Sequence, residues 1–150
     1  MNIDKVIRDR RIQLGLSDTE AAKLAGLSIH EYCDIEQHHD EFLTAISLAS
    51  ARKVCEALQL NFSDIFREYS SVHHKLGAIK NWQLVQILKE KGISRSDLAD
   101  KIGFEITVIE AIENNVCYGA DLPISVLLDI ESCLGMDKTA MIYFIWENCK

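Results

Sequence analysis

The chain has little of what turn-rich, disulfide-built or membrane-spanning proteins need. It holds one proline and seven glycines in 150 residues, too few for an all-β fold with many tight turns. Its longest apolar stretch, Ala140 to Trp146, falls far short of the roughly 20 residues of a membrane span. The 16 basic residues are outnumbered by 23 acidic ones, and the net charge is −7. These features predict an acidic, helical protein with no membrane segment.

The cysteines also lack a pattern. Five are present, an odd number with no CxxC pair, and they are scattered: Cys33, Cys55, Cys117, Cys133 and Cys149. This usage predicts reduced thiols in a cytoplasmic protein. Charged residues from Asp4 to Asp9 interrupt any apolar N-terminal signal. The histidine pairs at 38–39 and 73–74 fall in polar segments without a cysteine at ligand spacing, so no metal site is expected.

What is present is an internal repeat. Four residues of the first half recur in the second half at a constant offset. They are Gly15, Ser17, Gly26 and Glu36, which recur as Gly92, Ser94, Gly103 and Glu113. A repeat held at one offset fixes the architecture before any other feature does. It predicts a first unit over residues 1–67, a linker over 68–79 and a second unit over 80–150.

Each unit is expected to be a series of helices. Ser17 and Ser28 should cap the second and third helices, because each is followed three residues later by a glutamate. The predicted helices of the first unit are 4–14, from 17, 28–37, 44–58 and 63–66, with a loop over 38–41. Those of the second unit are 82–91, from 94, 105–113, 124–134 and 137–146, with a loop over 119–123.

These segments resemble the phage-repressor and Cro class of helix-turn-helix proteins, also called the xenobiotic-response-element family. The likeness rests on residues 10–16, on the two-helix stretch from Ser17 to Glu36 and on the ending Leu58–Phe66, with their counterparts in the second half. It spans residues 4–66 and 82–144. The resemblance implies an all-α fold of two tandem, five-helix, lambda-repressor-like domains.

In that family the start of the second helix contacts a phosphate and the start of the third reads bases in the major groove. The DNA-binding residues implied here are Arg8, Arg10, Ser17, Ser28, Ile29, His30, Ser94, Arg95, Lys101, Ile106 and Thr107. The chain departs from the family pattern at Asp18 and Asp34, which would face phosphates with like charge.

The resemblance also implies a structural ion pair between Arg11 and Glu36. In the second unit, Leu88 stands at the arginine position while Glu113 remains. We expect either that Lys89 or Lys91 replaces the arginine, or that Glu113 turns to solvent.

Two functions fit these residues. The first is a transcriptional regulator that binds double-stranded DNA with its two units, and that contacts RNA polymerase or another regulator. In a variant of it, one unit reads DNA and the other forms an oligomer. The second is an acidic helix-turn-helix module that binds a protein partner or mimics DNA, without reading DNA. The apolar run Tyr143–Trp146 either closes the core of the second unit or forms a homodimer interface. No catalytic constellation or cofactor motif is evident, so neither an enzyme nor a cofactor is expected.

Overall fold

The computed structural model describes residues 2–67, 83–136 and 139–149. Within these ranges every regular element is a helix and no β-strand occurs. The predicted all-α class is therefore confirmed. None of the described helices is long and apolar enough to cross a bilayer. The predicted linker, 68–79, lies outside the described residues.

The helices fall into two sets. In the first are α1 (Ile3–Gln13), α2 (Asp18–Ala25), α3 (Ile29–Gln37), α4 (Glu41–Thr44), α5 (Leu48–Ala57) and α6 (Phe62–Phe66). In the second are α7 (Leu84–Lys91), α8 (Arg95–Ile102), α9 (Ile106–Asn114), a 3₁₀ helix (Val116–Asp121), α10 (Ile124–Cys133) and α11 (Ala140–Asn148). The bounds of α8 and α9 equal those of α2 and α3 displaced by the sequence offset.

Local sequence signals explain where these helices begin and end. Ser17 and Ser28 each accept a hydrogen bond from the backbone N–H three residues on, and each takes part in a complete capping box. Gly26 ends α2 with φ of 70°, a left-handed conformation that glycine adopts without the steric cost of a Cβ. The predicted caps of α2 and α3 are confirmed.

Three predicted boundaries are wrong. The helix expected over 44–58 begins at Leu48, because the side chain of Ser47 caps it, and the short α4 precedes it. The loop expected over 119–123 is mostly a 3₁₀ helix. The last helix begins at Ala140, where Thr139 is the N-cap in the left-handed region with φ of 72°.

The two sets of helices pack against each other through reciprocal contacts. Helix α4 contacts α10, and its counterpart, the 3₁₀ helix, contacts α5. Where α5 and α10 begin, Ser47 and Pro123 form an antiparallel bridge, and the N–H of Leu48 donates to the carbonyl of Leu122 at 2.8 Å. Reciprocal contact between equivalent elements is the pattern of an approximate two-fold axis. That axis passes near the Ser47–Pro123 bridge.

Helix α11 lies in this interface. The ring of Phe62 in α6 lies 5.0 Å from that of Tyr143 and 5.4 Å from that of Trp146. Arg52 of α5 donates from Nη1 to the carbonyl oxygens of Trp146 and Cys149, at 3.1 and 2.8 Å. Trp146 is buried while Tyr143 is half-buried. Most of the apolar surface of α11 is therefore covered by the chain itself.

The expectation that all cysteines are reduced is wrong. Cys117 in the 3₁₀ helix and Cys149 after α11 form a disulfide that spans 32 residues of sequence. Their side chains meet because α11 packs directly on the 3₁₀ helix. Cys33, Cys55 and Cys133 are free thiols. Cys55 is fully buried, and this burial raises the pKa of its thiol.

A buried carboxylate of α10 binds the first backbone N–H groups of helix α11. Glu131 is fully buried and accepts hydrogen bonds from the backbone N–H groups of Thr139, Met141 and Ile142. These are N–H groups that a helix leaves unpaired at its start. Burial outweighs the three hydrogen bonds and raises the pKa of Glu131 to about 7.

Candidate nucleic-acid interface

The first residues of α3 and α9, the two helices expected to read bases, are exposed to solvent. Ile29 is 37% exposed and its counterpart Ile106 is 41% exposed. The neighbouring His30 and Thr107 are also exposed. Each unit therefore has an exposed isoleucine at the first position of this helix, and the two are exposed to a similar extent. These four residues are therefore accessible to a partner at the start of each helix.

The three serines of the predicted DNA-binding set cap helices. The hydroxyl oxygens of Ser17, Ser28 and Ser94 each accept a bond from the backbone N–H three residues on, at 3.0 to 3.2 Å. A hydroxyl that accepts in this way keeps its own O–H available as a donor. All three residues are exposed, so the serines remain able to donate to a phosphate or a base.

The basic residues of the predicted DNA-binding set differ in exposure and in their partners. Arg8 and Lys101 are exposed and make no hydrogen bond or ion pair with any described residue. Arg10 is partly buried, and its Nε donates to the carbonyl of Leu58 at 3.0 Å, which ties α1 to the end of α5. Arg10 therefore holds the first unit together, and Arg8 is the more accessible cation of α1.

The ion pair expected between Arg11 and Glu36 is present. The Arg11 Nε lies 2.6 Å from one Glu36 oxygen, and Nη2 donates to the other at 3.1 Å. Nη1 donates to the carbonyl of Leu16 at 2.9 Å. The bond to Glu36 raises the pKa of Arg11 above its ordinary value. The pair joins α1 to the end of α3 in the fork geometry that suits a guanidinium.

The expectation for Glu113 is wrong on both counts. Its partner is neither Lys89 nor Lys91, and its side chain is only 5% exposed. Instead Glu113 binds Arg95, with its two oxygens 2.8 and 2.6 Å from Nε. Arg95 begins α8, whereas Arg11 lies in α1. The buried glutamate is the same in both units, and the arginine that pairs with it comes from a different helix.

The net negative charge of the chain lies in the two segments that carry the candidate surfaces, and in each segment one of the carboxylates is buried and paired with an arginine. Residues 17–37 hold five carboxylates and one lysine, a net charge of −4. Residues 94–114 hold five carboxylates and two basic residues, a net charge of −3. Together they equal the whole net charge of −7, so the remaining residues are balanced. Phosphate contact is opposed at these surfaces, except where single cations project.

Sequence reasoning missed the exposed side chains beside the two helix starts. Leu24 is 61% exposed and Phe104 is 40% exposed. The sequence carries a signal for each: the alanines of α2, Ala21, Ala22 and Ala25, mark a close-packed face that excludes Leu24, and Phe104 follows the turn glycine Gly103. Both side chains are next to the turn, where no described helix covers them.

Among the described residues, no group of three or more histidine, cysteine, aspartate or glutamate side chains is arranged to hold a metal ion. His38 and His39 are exposed, and the pair at 73–74 lies outside the described ranges. No family model, no curated protein and no solved structure matches the chain.

Proposed function

We propose that the chain is a sequence-specific DNA-binding transcriptional regulator in which two helix-turn-helix units act as a built-in dimer. The observation that carries this proposal is the reciprocal packing around the Ser47–Pro123 bridge. It relates α3 to α9 by an approximate two-fold axis. Dimeric helix-turn-helix proteins use such an axis to present two reading helices to successive major grooves.

The residues at the helix starts suit a limited set of contacts. His30 and Thr107 would hydrogen-bond to base edges, while Ile29 and Ile106 would pack against thymine methyl groups. Arg8, Lys101 and the hydroxyls of the capping serines would contact phosphates. A regulator of this kind would act in the cytoplasm, and would block or recruit RNA polymerase at a promoter. The half-buried face of α11 around Tyr143 remains the proposed surface for a further homodimer.

The experiment is selection from a pool of random duplex DNA with the full chain at two salt concentrations. Because the reading helices come in an equivalent pair, we expect an enriched motif with two half-sites, and binding that weakens steeply with salt. The double variant His30→Ala, Thr107→Ala should lose this enrichment. The matched control is His39→Ala, an exposed histidine outside both helix starts. If no sequence is enriched even at low salt, the proposal is wrong.

A second candidate is favoured by the charge distribution. All of the net negative charge lies on the segments that would face DNA, and the exposed Leu24 and Phe104 stand beside it. An acidic surface with apolar protrusions suits a basic, partly apolar protein partner. In that case duplex selection fails, while a basic amphipathic peptide such as melittin binds. Leu24→Ser and Phe104→Ser would then weaken peptide binding, and the exposed Ile12→Ser, away from both turns, would not.

A further inference from the structure

The two arginine–glutamate pairs differ in how many nitrogens they use. Arg11 engages all three guanidinium nitrogens, with Glu36 and the carbonyl of Leu16. Arg95 engages only Nε, which faces both oxygens of Glu113. Its two terminal nitrogens make no hydrogen bond with any described residue. Since a guanidinium carries five N–H donors, four of those on Arg95 are left for another acceptor.

The pairs also differ in exposure. The side chain of Arg11 is 16% exposed, whereas that of Arg95 is 50% exposed. Glu113 is held by α9, whose neighbouring Ile109 and Ile112 are buried. A carboxylate fixed by packing holds the Nε end of Arg95 in place and leaves the other end in solvent. A free surface arginine would lose rotamer freedom on binding an acceptor, and Arg95 has already lost much of it.

We propose that Glu113 is a positioning residue that holds the fork of Arg95 ready for a phosphate oxygen of duplex DNA. The inference rests on the proposed DNA-binding function and adds how one contact is made. The free edge formed by the two terminal nitrogens matches two oxygens of a phosphate group. Because the carboxylate compensates the guanidinium charge, the pair supplies orientation more than net charge. The contact belongs to the second unit alone, since Asp18 occupies the equivalent position in the first.

The test compares Glu113→Gln with wild type on two duplexes: the sequence selected by the wild-type chain, and a random duplex. Glutamine keeps the size of the side chain but removes the charge-assisted bond that orients Arg95. We expect affinity for the selected duplex to fall about fivefold. Affinity for the random duplex should stay the same or rise, because a negative charge is removed. The ratio of the two affinities is the readout that a merely structural role would not change.

Glu36→Gln is the matched control, because it alters the equivalent pair of the first unit, in which no guanidinium nitrogen is free. It should leave the ratio unchanged. Arg95→Lys is a second variant at an exposed position, so it will fold even if Glu113→Gln does not. Lysine lacks the fork and should also lose about fivefold on the selected duplex. Arg95→Ala removes the contact altogether and should lose at least as much affinity for the selected duplex as Arg95→Lys.

The outcomes are distinguishable. If the wild-type chain binds no duplex, the proposed function fails and this inference fails with it. If the wild-type chain selects a duplex but Glu113→Gln or Arg95→Lys leaves the affinity ratio unchanged, only the inference is wrong. An equal loss in Glu36→Gln would also overturn it, because the effect would then come from weakened folding.

Discussion

The two units solve the same packing problem with different residues. Each buries a glutamate at the end of its third helix, Glu36 or Glu113, and each must neutralise it. The first unit uses Arg11 from α1, while the second uses Arg95 from α8 and fills the place of Arg11 with the buried Leu88. A buried carboxylate without a partner is costly. The constant feature is therefore the acid, and any adjacent helix that can reach it can supply the cation.

The two ends of the repeat differ in a second way. Helix α6 closes the first unit with a local bond, in which the N–H of Asn61 donates to the carboxylate of Asp64 at 2.7 Å. Helix α11 closes the second unit with help from elsewhere: Glu131 of α10 binds its first N–H groups, and a disulfide fixes the residue that follows it. The longer apolar helix thus depends on tertiary contacts where the short one depends on local sequence.

The largest expected difference between the units concerns the disulfide, which only the second unit has. Cys117→Ser should destabilise the chain by about 4 kcal/mol, the entropy of closing a loop of this length in the unfolded state. Urea unfolding of the oxidised protein measures it. Cys133→Ser, at a free half-buried thiol, is the control and should cost far less. Equal losses would show that the bridge contributes nothing beyond the packing of a thiol.

The ion pairs come next. Arg11→Ala should cost about 3 kcal/mol, because it leaves Glu36 buried without its partner. Arg95→Ala should cost less, about 1 kcal/mol, because the side chain that covers Glu113 is itself half-exposed, and its removal opens the carboxylate to water. Unfolding in urea compares the two variants directly. A larger loss for Arg95→Ala would contradict the contrast drawn between the pairs.

Glu131 makes stability depend on pH. Its folded pKa, about 7, is raised above the unfolded value, so its neutral form is favoured in the folded state. The stability it contributes is complete below pH 4.5 and is lost as pH rises through about 7. We expect the free energy of unfolding to fall by about 2 kcal/mol between pH 5 and 7. Glu131→Gln should remove this slope, and a slope that persists in that variant would assign it to other groups.

The smallest expected difference in stability comes from a helix cap that only the first unit has. Ser28 caps α3 with a hydrogen bond from a backbone N–H to its side chain. Glu105, at the same place before α9, accepts only from the Thr107 hydroxyl, at 3.4 Å, and caps no backbone N–H. Glu105→Ser should therefore stabilise the chain by about 1 kcal/mol. Ser28→Ala should destabilise it by a similar amount. Thermal unfolding of both variants measures the two shifts, and a destabilised Glu105→Ser would mean that the carboxylate has a role not seen in its contacts.

Local signals explain what could be predicted from the sequence. Serine caps and turn glycines located α2, α3 and α8, because these signals act within four residues, and the repeat offset then located α9. The Arg11–Glu36 pair followed from the resemblance. The Cys117–Cys149 bond and the partner of Glu113 could not be predicted, since they depend on which helices meet in space. The role of Glu131 could not be predicted for the same reason, since its three donors lie at the start of the next helix.

The bridge between Ser47 and Pro123 has a consequence for symmetry itself. In a homodimer the two residues that face each other across the axis must be identical, and every substitution appears twice. Here one position is serine and the other is a proline without an N–H, so the two halves differ at the point where they meet. Because the two halves are joined in one chain, each molecule contains one copy of each half. Such a molecule would distinguish the two orientations of an asymmetric partner, which a homodimer of identical halves cannot do.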